Sequence, residues 1–289
     1  QLAGISKFIF HLVIPVFLFE KMATANIAGQ FEPSYFLAFY LPLLVVYALG
    51  ILANFWFHIK YKQQLGASAV FSLGASYSNT VIVGLPVLLA ALGEQVISVV
   101  FLIITFHSAL LFTLTSMLCL RQNHTSEGNT HQSNKTLLHR IGQQTLYNPI
   151  VLSISLGLLS QFLPFQIPAL VFETLNLFGQ PAITCALFLL GTSLAFYQVK
   201  DEKFFISFAT VTKLLLFPSL VWLTTTYLFA LPDHISTILV ILSACPTGVN
   251  AYLIAKIQGV HDDTVAGTVI VSTLACVFTL PMWLHFMMG

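Results

Sequence analysis

Lys213 is the most conspicuous chemical group in this sequence, because it stands inside the apolar run KLLLFP, far from other charge. It lies ten residues beyond Lys203, which on a helix is about 15 Å from the nearer polar end. A charge at that depth is costly and is found where it is paired or functional. Two roles are open to it. The ammonium can attract a carboxylate, or it can bind carbonyl oxygens of a neighbouring broken helix and support a site built elsewhere.

Two other runs carry the material for such a site. They are Ser78-Asn79-Thr80-Val81-Ile82-Val83-Gly84-Leu85-Pro86 and Ala244-Cys245-Pro246-Thr247-Gly248-Val249-Asn250. Proline removes a backbone donor and glycine permits non-helical dihedrals, so each run predicts a helix interrupted near mid-membrane, close to residues 84 and 248. Broken backbone at that depth has to line a cavity enclosed by protein. Its free amides and the positive end of the following half-helix then face an anion. Asn79, Gly84, Pro86, Pro246, Thr247, Gly248 and Asn250 are the substrate-site candidates, with Lys213 and His107 in support.

The remaining titratable groups suggest less. His107 and His11 fall inside apolar segments, where a lone histidine is more often a hydrogen-bonded packing residue than a proton carrier. Glu20 beside Lys21 reads as an interfacial ion pair. No Asp or Glu occupies the middle third of any apolar segment, which argues against a buried carboxylate holding a coupling ion. Cys119, Cys185, Cys245 and Cys276 stand singly without metal spacing, as small buried hydrophobes do. Neither HExxH nor GxSxG occurs, so no enzyme, metal or cofactor is expected.

The elements that position these residues follow from composition. Of 289 residues, 57% are hydrophobic and 7% charged, and mean hydropathy is +0.89; a water-soluble domain carries roughly 25% charged residues. A net charge of +1 excludes a nucleic-acid-binding surface. The chain reads as an all-α polytopic membrane protein. Nine segments have the ~20 residues a span needs: 4–24, 35–57, 66–91, 95–118, 147–163, 174–197, 204–230, 234–256 and 262–286. One long polar connection, 121–140, divides a first repeat (1–120) from a second (141–289). Lys7, Lys60, Lys62, Arg121, Lys135, Arg140, Lys200, Lys203 and Lys256 fall on one side of these spans and Lys21 on the other. That asymmetry predicts a cytoplasmic central loop and an external C-terminus, and makes the sequons at Asn123 and Asn134 chance matches. Pro15 and Pro181, Tyr35 and Lys203, Pro86 and Pro246, and Gln95 and Asp262 recur at offsets of 166, 168, 160 and 167. This is the pattern of a duplicated unit. Segment 147–163 has no partner at that offset, and the chain opens at Gln1 without Met. The expectation is therefore five plus five inverted spans, with the first helix absent here.

The NTVIVGLP run resembles the auxin efflux carrier family. Tyr147-Asn148-Pro149, LFLLGTSLA at Leu187 to Ala195, KLLLFP at Lys213 to Pro218 and ACPTGVNAYLIA at Ala244 to Ala255 are similar to its bacterial branch, so the resemblance covers essentially the whole chain. The central loop is far shorter than in the long plant carriers, which puts phosphorylation control through it in doubt. The resemblance implies a ten-helix carrier. Two helices of each repeat would form a dimerising scaffold, and three a mobile transport domain where the broken helices cross, at Asn79 to Pro86 and Pro246 to Asn250. It implies an elevator-like displacement of a small organic anion. Ala266-Gly267-Thr268 and Ser272-Thr273 in the last span fit close packing against that crossover.

The resulting expectation is a homodimeric secondary carrier of mono- or dicarboxylates in the cytoplasmic membrane, driven by the membrane potential. Two rivals are a sodium- or proton-coupled symporter of the bile acid type and a sensor that binds without translocating.

Overall fold

The computed structural model describes residues 4–5, 8–24, 32–58, 64–126, 149–162, 168–182, 184–185, 188 and 202–289. Among the described residues twelve α-helices are formed: α1 Ile14–Thr24, α2 Pro33–Phe57, α3 Leu65–Ser76, α4 Leu85–Leu92, α5 Ile97–Ser126, α6 Pro149–Ser160, α7 Ala169–Gly179, α8 Lys203–Val211, α9 Phe217–Leu223, α10 Asp233–Ala244, α11 Val249–Gln258 and α12 Asp262–Met288. Single π-turns precede α1, α4 and α9 and follow α9. There is no strand among the described residues.

Among the described residues four helical stretches are long and apolar enough to cross a bilayer: Pro33–Phe57, Glu94–Cys119, Lys203–Leu228 and Asp262–Met288. The expected spans 66–91 and 234–256 are each two shorter helices, α3 with α4 and α10 with α11. Helix α5 runs on to Ser126, past Arg121 where the polar loop was expected to start. The rest of that loop with Asn134, and most of the LFLLGTSLA run, lie outside the described residues. So do Lys7, Lys60, Lys62, Lys135, Arg140 and Lys200, on which the charge asymmetry draws.

Buried prolines inside these helices leave carbonyls unpaired, and neighbouring side chains take them up. Pro42 within α2 has no N–H for the Ala38 carbonyl four residues back, and Thr224 Oγ1 donates to it at 2.7 Å. Pro218 near the start of α9 likewise frees the Leu214 carbonyl, which accepts from Trp283 Nε1 at 2.9 Å. Each repair also ties two helices together.

Packing separates the helices into two groups. Helix α1 lies against α6 and α7. A Cβ on Gly157 would meet Met22 Cβ at 2.7 Å, and one on Gly179 would meet Phe17 Cα at 3.1 Å, so small residues let these backbones approach. The other helices surround α3 and α10: α2 packs on α3, α9 and α12 on α10, and α8 and α11 on α12. At the far end of α1 Lys21 pairs with Glu20 at 3.7 Å, as expected, and with Glu94 at 3.3 Å.

Candidate functional site at the helix crossing

Both interrupted runs are broken, and they meet. Helix α3 stops at Ser76, after which Tyr77 is extended (φ −72°, ψ 112°) and Ser78 and Asn79 carry the chain to the π-turn Thr80–Gly84 that leads into α4. Helix α10 stops at Ala244, and Cys245 through Gly248 run extended to α11. The two extended segments pass antiparallel, with Ser78 opposite Thr247. Asn79 N donates to Pro246 O at 2.9 Å and Gly248 N to Tyr77 O at 3.0 Å. Each segment thus satisfies backbone groups of the other that neither helix can reach and hydrocarbon would leave bare.

The first break lies at Tyr77–Asn79, upstream of the expected position near Gly84. Pro86 follows the π-turn Thr80–Gly84, which runs without a break into α4, so its missing N–H falls inside a continuous helical stretch and does not itself interrupt it. Gly84 serves contact instead: a Cβ there would meet Leu242 Cδ2 at 2.9 Å and Cys245 Sγ at 3.1 Å. These two therefore support the crossing, and Asn79, Pro246, Thr247, Gly248 and Asn250 form it.

Four helix ends converge here, two positive and two negative, so the sign of the field depends on what neutralises which. On the negative side, carbonyls at the ends of α3 and α10 find side-chain donors. Thr247 Oγ1 donates to Gly74 O at 2.9 Å. Lys213, fully buried, donates its ammonium to Ser243 O and holds it 5.0 Å from the centre of the Phe217 ring. On the positive side, the first amides of each following half-helix have no intrahelical acceptor by position. Thr80, Val81, Val249 and Asn250, which carry them, line a cleft of about 30 Å³ together with Tyr77, Ser78, Asn79 and Ser108. With a side-chain donor on each carbonyl end, one of them a lysine, and the amide ends open, the cleft favours negative charge, each helix end contributing about half an elementary charge.

Side chains hold this arrangement rigidly. Asn79 Oδ1 accepts from Ile82 N at 3.3 Å, while its buried Nδ2 has no hydrogen-bond partner among the described residues. Asn250 Nδ2 donates to Tyr77 Oη at 3.4 Å. His107 Nε2 accepts from Ser78 N at 2.9 Å; a backbone amide can only donate, so the neutral ring carries its proton on Nδ1. His107 therefore supports the broken backbone, the packing role read from the sequence. His11 lies on the exposed face of its π-turn, away from the crossing. From α12, Ser272 Oγ accepts from Thr247 N at 3.0 Å, which gives the small-residue run a hydrogen bond as well as contact. Gly267 in that run meets Ile206 of α8, 2.4 Å from the position a Cβ would take.

Tyr77 and Ser108 went unremarked in the sequence. The Tyr77 ring stacks on His107 at 4.9 Å and on Phe112 at 5.1 Å, and its hydroxyl pairs with Ser108 Oγ at 2.7 Å. A tyrosine one residue before Ser78-Asn79 within an apolar segment was the available signal. Thr247→Val keeps the shape of that side chain but leaves the Gly74 carbonyl unpartnered. A loss of about 1–3 kcal/mol is expected, read as a lowered melting temperature of the purified protein.

Long apolar helices enclosing two crossed, interrupted ones, with a polar cleft between them, define a membrane transport protein. Residues 1–284 match the membrane transport protein family, and the chain belongs to it, the auxin efflux carrier family. It is similar to a putative malonate transporter of Rhizobium meliloti (strain 1021), at 24% identity over 96% of this chain and 84% of that protein. It is also similar to auxin efflux carrier component 8 of Arabidopsis thaliana, at 23% identity over 95% of this chain and 86% of that one. A third relative is the uncharacterized transporter YfdV of Escherichia coli (strain K12), at 24% identity over 99% and 88%.

Proposed function

We propose that this protein is a secondary carrier of small organic anions that binds its substrate where Tyr77–Asn79 crosses Pro246–Asn250. The observation that carries the reading is the polarity of the crossing: the first residues of two half-helices line one cleft, while Lys213 and Thr247 each donate to a carbonyl at the opposing helix ends. The unpartnered Asn79 Nδ2 supplies a further donor toward it. A carboxylate accepts from all of these, and a cation from none.

The two packing groups support an elevator-type displacement, with α1, α6 and α7 as a dimerising scaffold and the helices around the crossing as the moving body. Recurrence of helix starts in the two halves, Pro33 with Lys203 and Leu65 with Asp233, supports five-plus-five inverted repeats. The carrier sits in the cytoplasmic membrane with its central loop inside. Transport is driven by potential, because expelling one negative charge across about 100 mV, inside negative, yields roughly 2.3 kcal/mol, close to a fiftyfold gradient.

Malonate, named for the rhizobial relative, is the first probe. In proteoliposomes its flux should follow an imposed potential and be indifferent to sodium. Sodium-dependent flux would instead assign a symporter, binding without flux a sensor, and absence of both for a range of mono- and dicarboxylates would remove the proposal. Asn79→Ala should weaken malonate binding by roughly tenfold to a hundredfold, the value of one hydrogen bond to a charged group, as measured by ligand-dependent melting.

A further inference from the structure

A second polar cluster lies away from the crossing, at the end of the bundle where α2 finishes and α8 and α12 begin. His58 follows the last residue of α2, Glu202 precedes α8 and His261 precedes α12. His58 Nε2 stands 3.2 Å from Glu202 Oε1, and His261 Nδ1 stands 3.7 Å from Glu202 Oε2. The two imidazole nitrogens and a carboxylate oxygen all lie within 4.8 Å of one another. We propose that His58, Glu202 and His261 bind a divalent transition-metal ion of the zinc class.

The chemistry of the donors suits that class. Two imidazoles and one carboxylate are borderline ligands of the kind zinc takes in open, three-residue sites, whereas magnesium and calcium prefer oxygen alone. Tetrahedral zinc places its ligand atoms about 3.4 Å apart, so the observed separations need only small side-chain adjustments. Both imidazoles are buried, at 3% and 2% exposure, which excludes most competing water. They are held by aromatic rings: Phe205 packs on His58 at 4.4 Å and Phe71 on His261 at 5.7 Å. Left-handed backbone at Gly259 (φ 67°) and His261 (φ 55°) turns this loop back onto the cluster.

Glu202 is reachable. Its side chain remains 31% exposed, so an ion can enter past it, and Asp262 and Asp263, next in sequence after His261, are exposed. The Thr264 hydroxyl, which donates to Glu202 Oε2, or a water is available as fourth ligand. Bound metal would join three helix ends through one centre. Sequence spacing could not show this, since the ligands stand at 58, 202 and 261.

The test uses the full chain, stripped with chelator and titrated with Zn²⁺ and, as a spectroscopic probe, Co²⁺. One Zn²⁺ per chain should bind and raise the melting temperature, Mg²⁺ should do neither, and Co²⁺ should develop tetrahedral visible absorption. His58→Gln, His261→Gln and Glu202→Gln keep hydrogen-bonding groups in place, and their melting in chelator reports whether they fold. Each should weaken Zn²⁺ binding roughly tenfold or more. The control variant replaces His124, His131 and His139 of the polar connection with Asn and should retain the full response. Zinc binding that survives in the folded cluster variants, that vanishes in the control, or that is absent from the unaltered protein would each overturn the assignment.

Discussion

Gly248→Ala should cut transport at least roughly tenfold while leaving most of the helical protein folded. The backbone of Gly248 is ordinary extended chain (φ −74°, ψ 141°), so alanine meets no conformational objection there. Space is the objection: a Cβ would lie 2.5 Å and 2.7 Å from two carbons of the Tyr77 ring. That ring cannot move aside, because it is stacked between His107 and Phe112 and anchored through its hydroxyl to Ser108. Relief requires the crossing segments to part, which breaks the bond from Gly248 N to Tyr77 O and misaligns the amide ends. Overpacking of this kind costs about 1–3 kcal/mol, a modest drop in melting temperature, against a loss of flux of at least roughly tenfold from misplacement of the site. Adding Tyr77→Leu to Gly248→Ala should recover stability but not full malonate affinity. A single Gly248→Ala variant with unaltered flux would show that the close contact is irrelevant to transport.

Lys213→Ala is expected to cost more in stability than any other single change at the site. It removes a charged hydrogen bond worth about 1.5–3 kcal/mol and strands the Ser243 carbonyl. It also leaves a hole where a fully buried four-carbon stem lay, a further loss of the same order. In a protein of this size several kcal/mol corresponds to a fall on the order of 10 °C in melting temperature. Lys213→Met separates the two causes, since it fills the volume without the charge. It should restore most of the stability yet bind malonate more weakly than the unaltered protein. The negative end of α10, no longer neutralised, then opposes an anion bound at the crossing. Malonate affinity unchanged in the Met variant would assign Lys213 to packing alone.

Much of this was legible in the chain itself. Low charge and high hydropathy required a helical membrane protein, and the NTVIVGLP and ACPTGVN runs marked both interruptions. Lys213 was recognisable as a buried charge bound to something. Its partner was not, because a carbonyl on α10 thirty residues away becomes its acceptor only when α9 packs beside α10. The first break was misplaced for a similar reason. Proline and glycine act locally, but Tyr77–Asn79 departs from helix because Pro246 and Gly248 offer its backbone other partners.

Sequence alone determined the solvent this protein folds in, the class of its elements and the residue types available to an anion, since each follows from composition and local backbone preference. Tertiary structure decided which carbonyl ends are capped and which amides stay open, and that His58, Glu202 and His261 share one corner. Those outcomes depend on distances between residues far apart in the chain, and only the packing of helices fixes such distances.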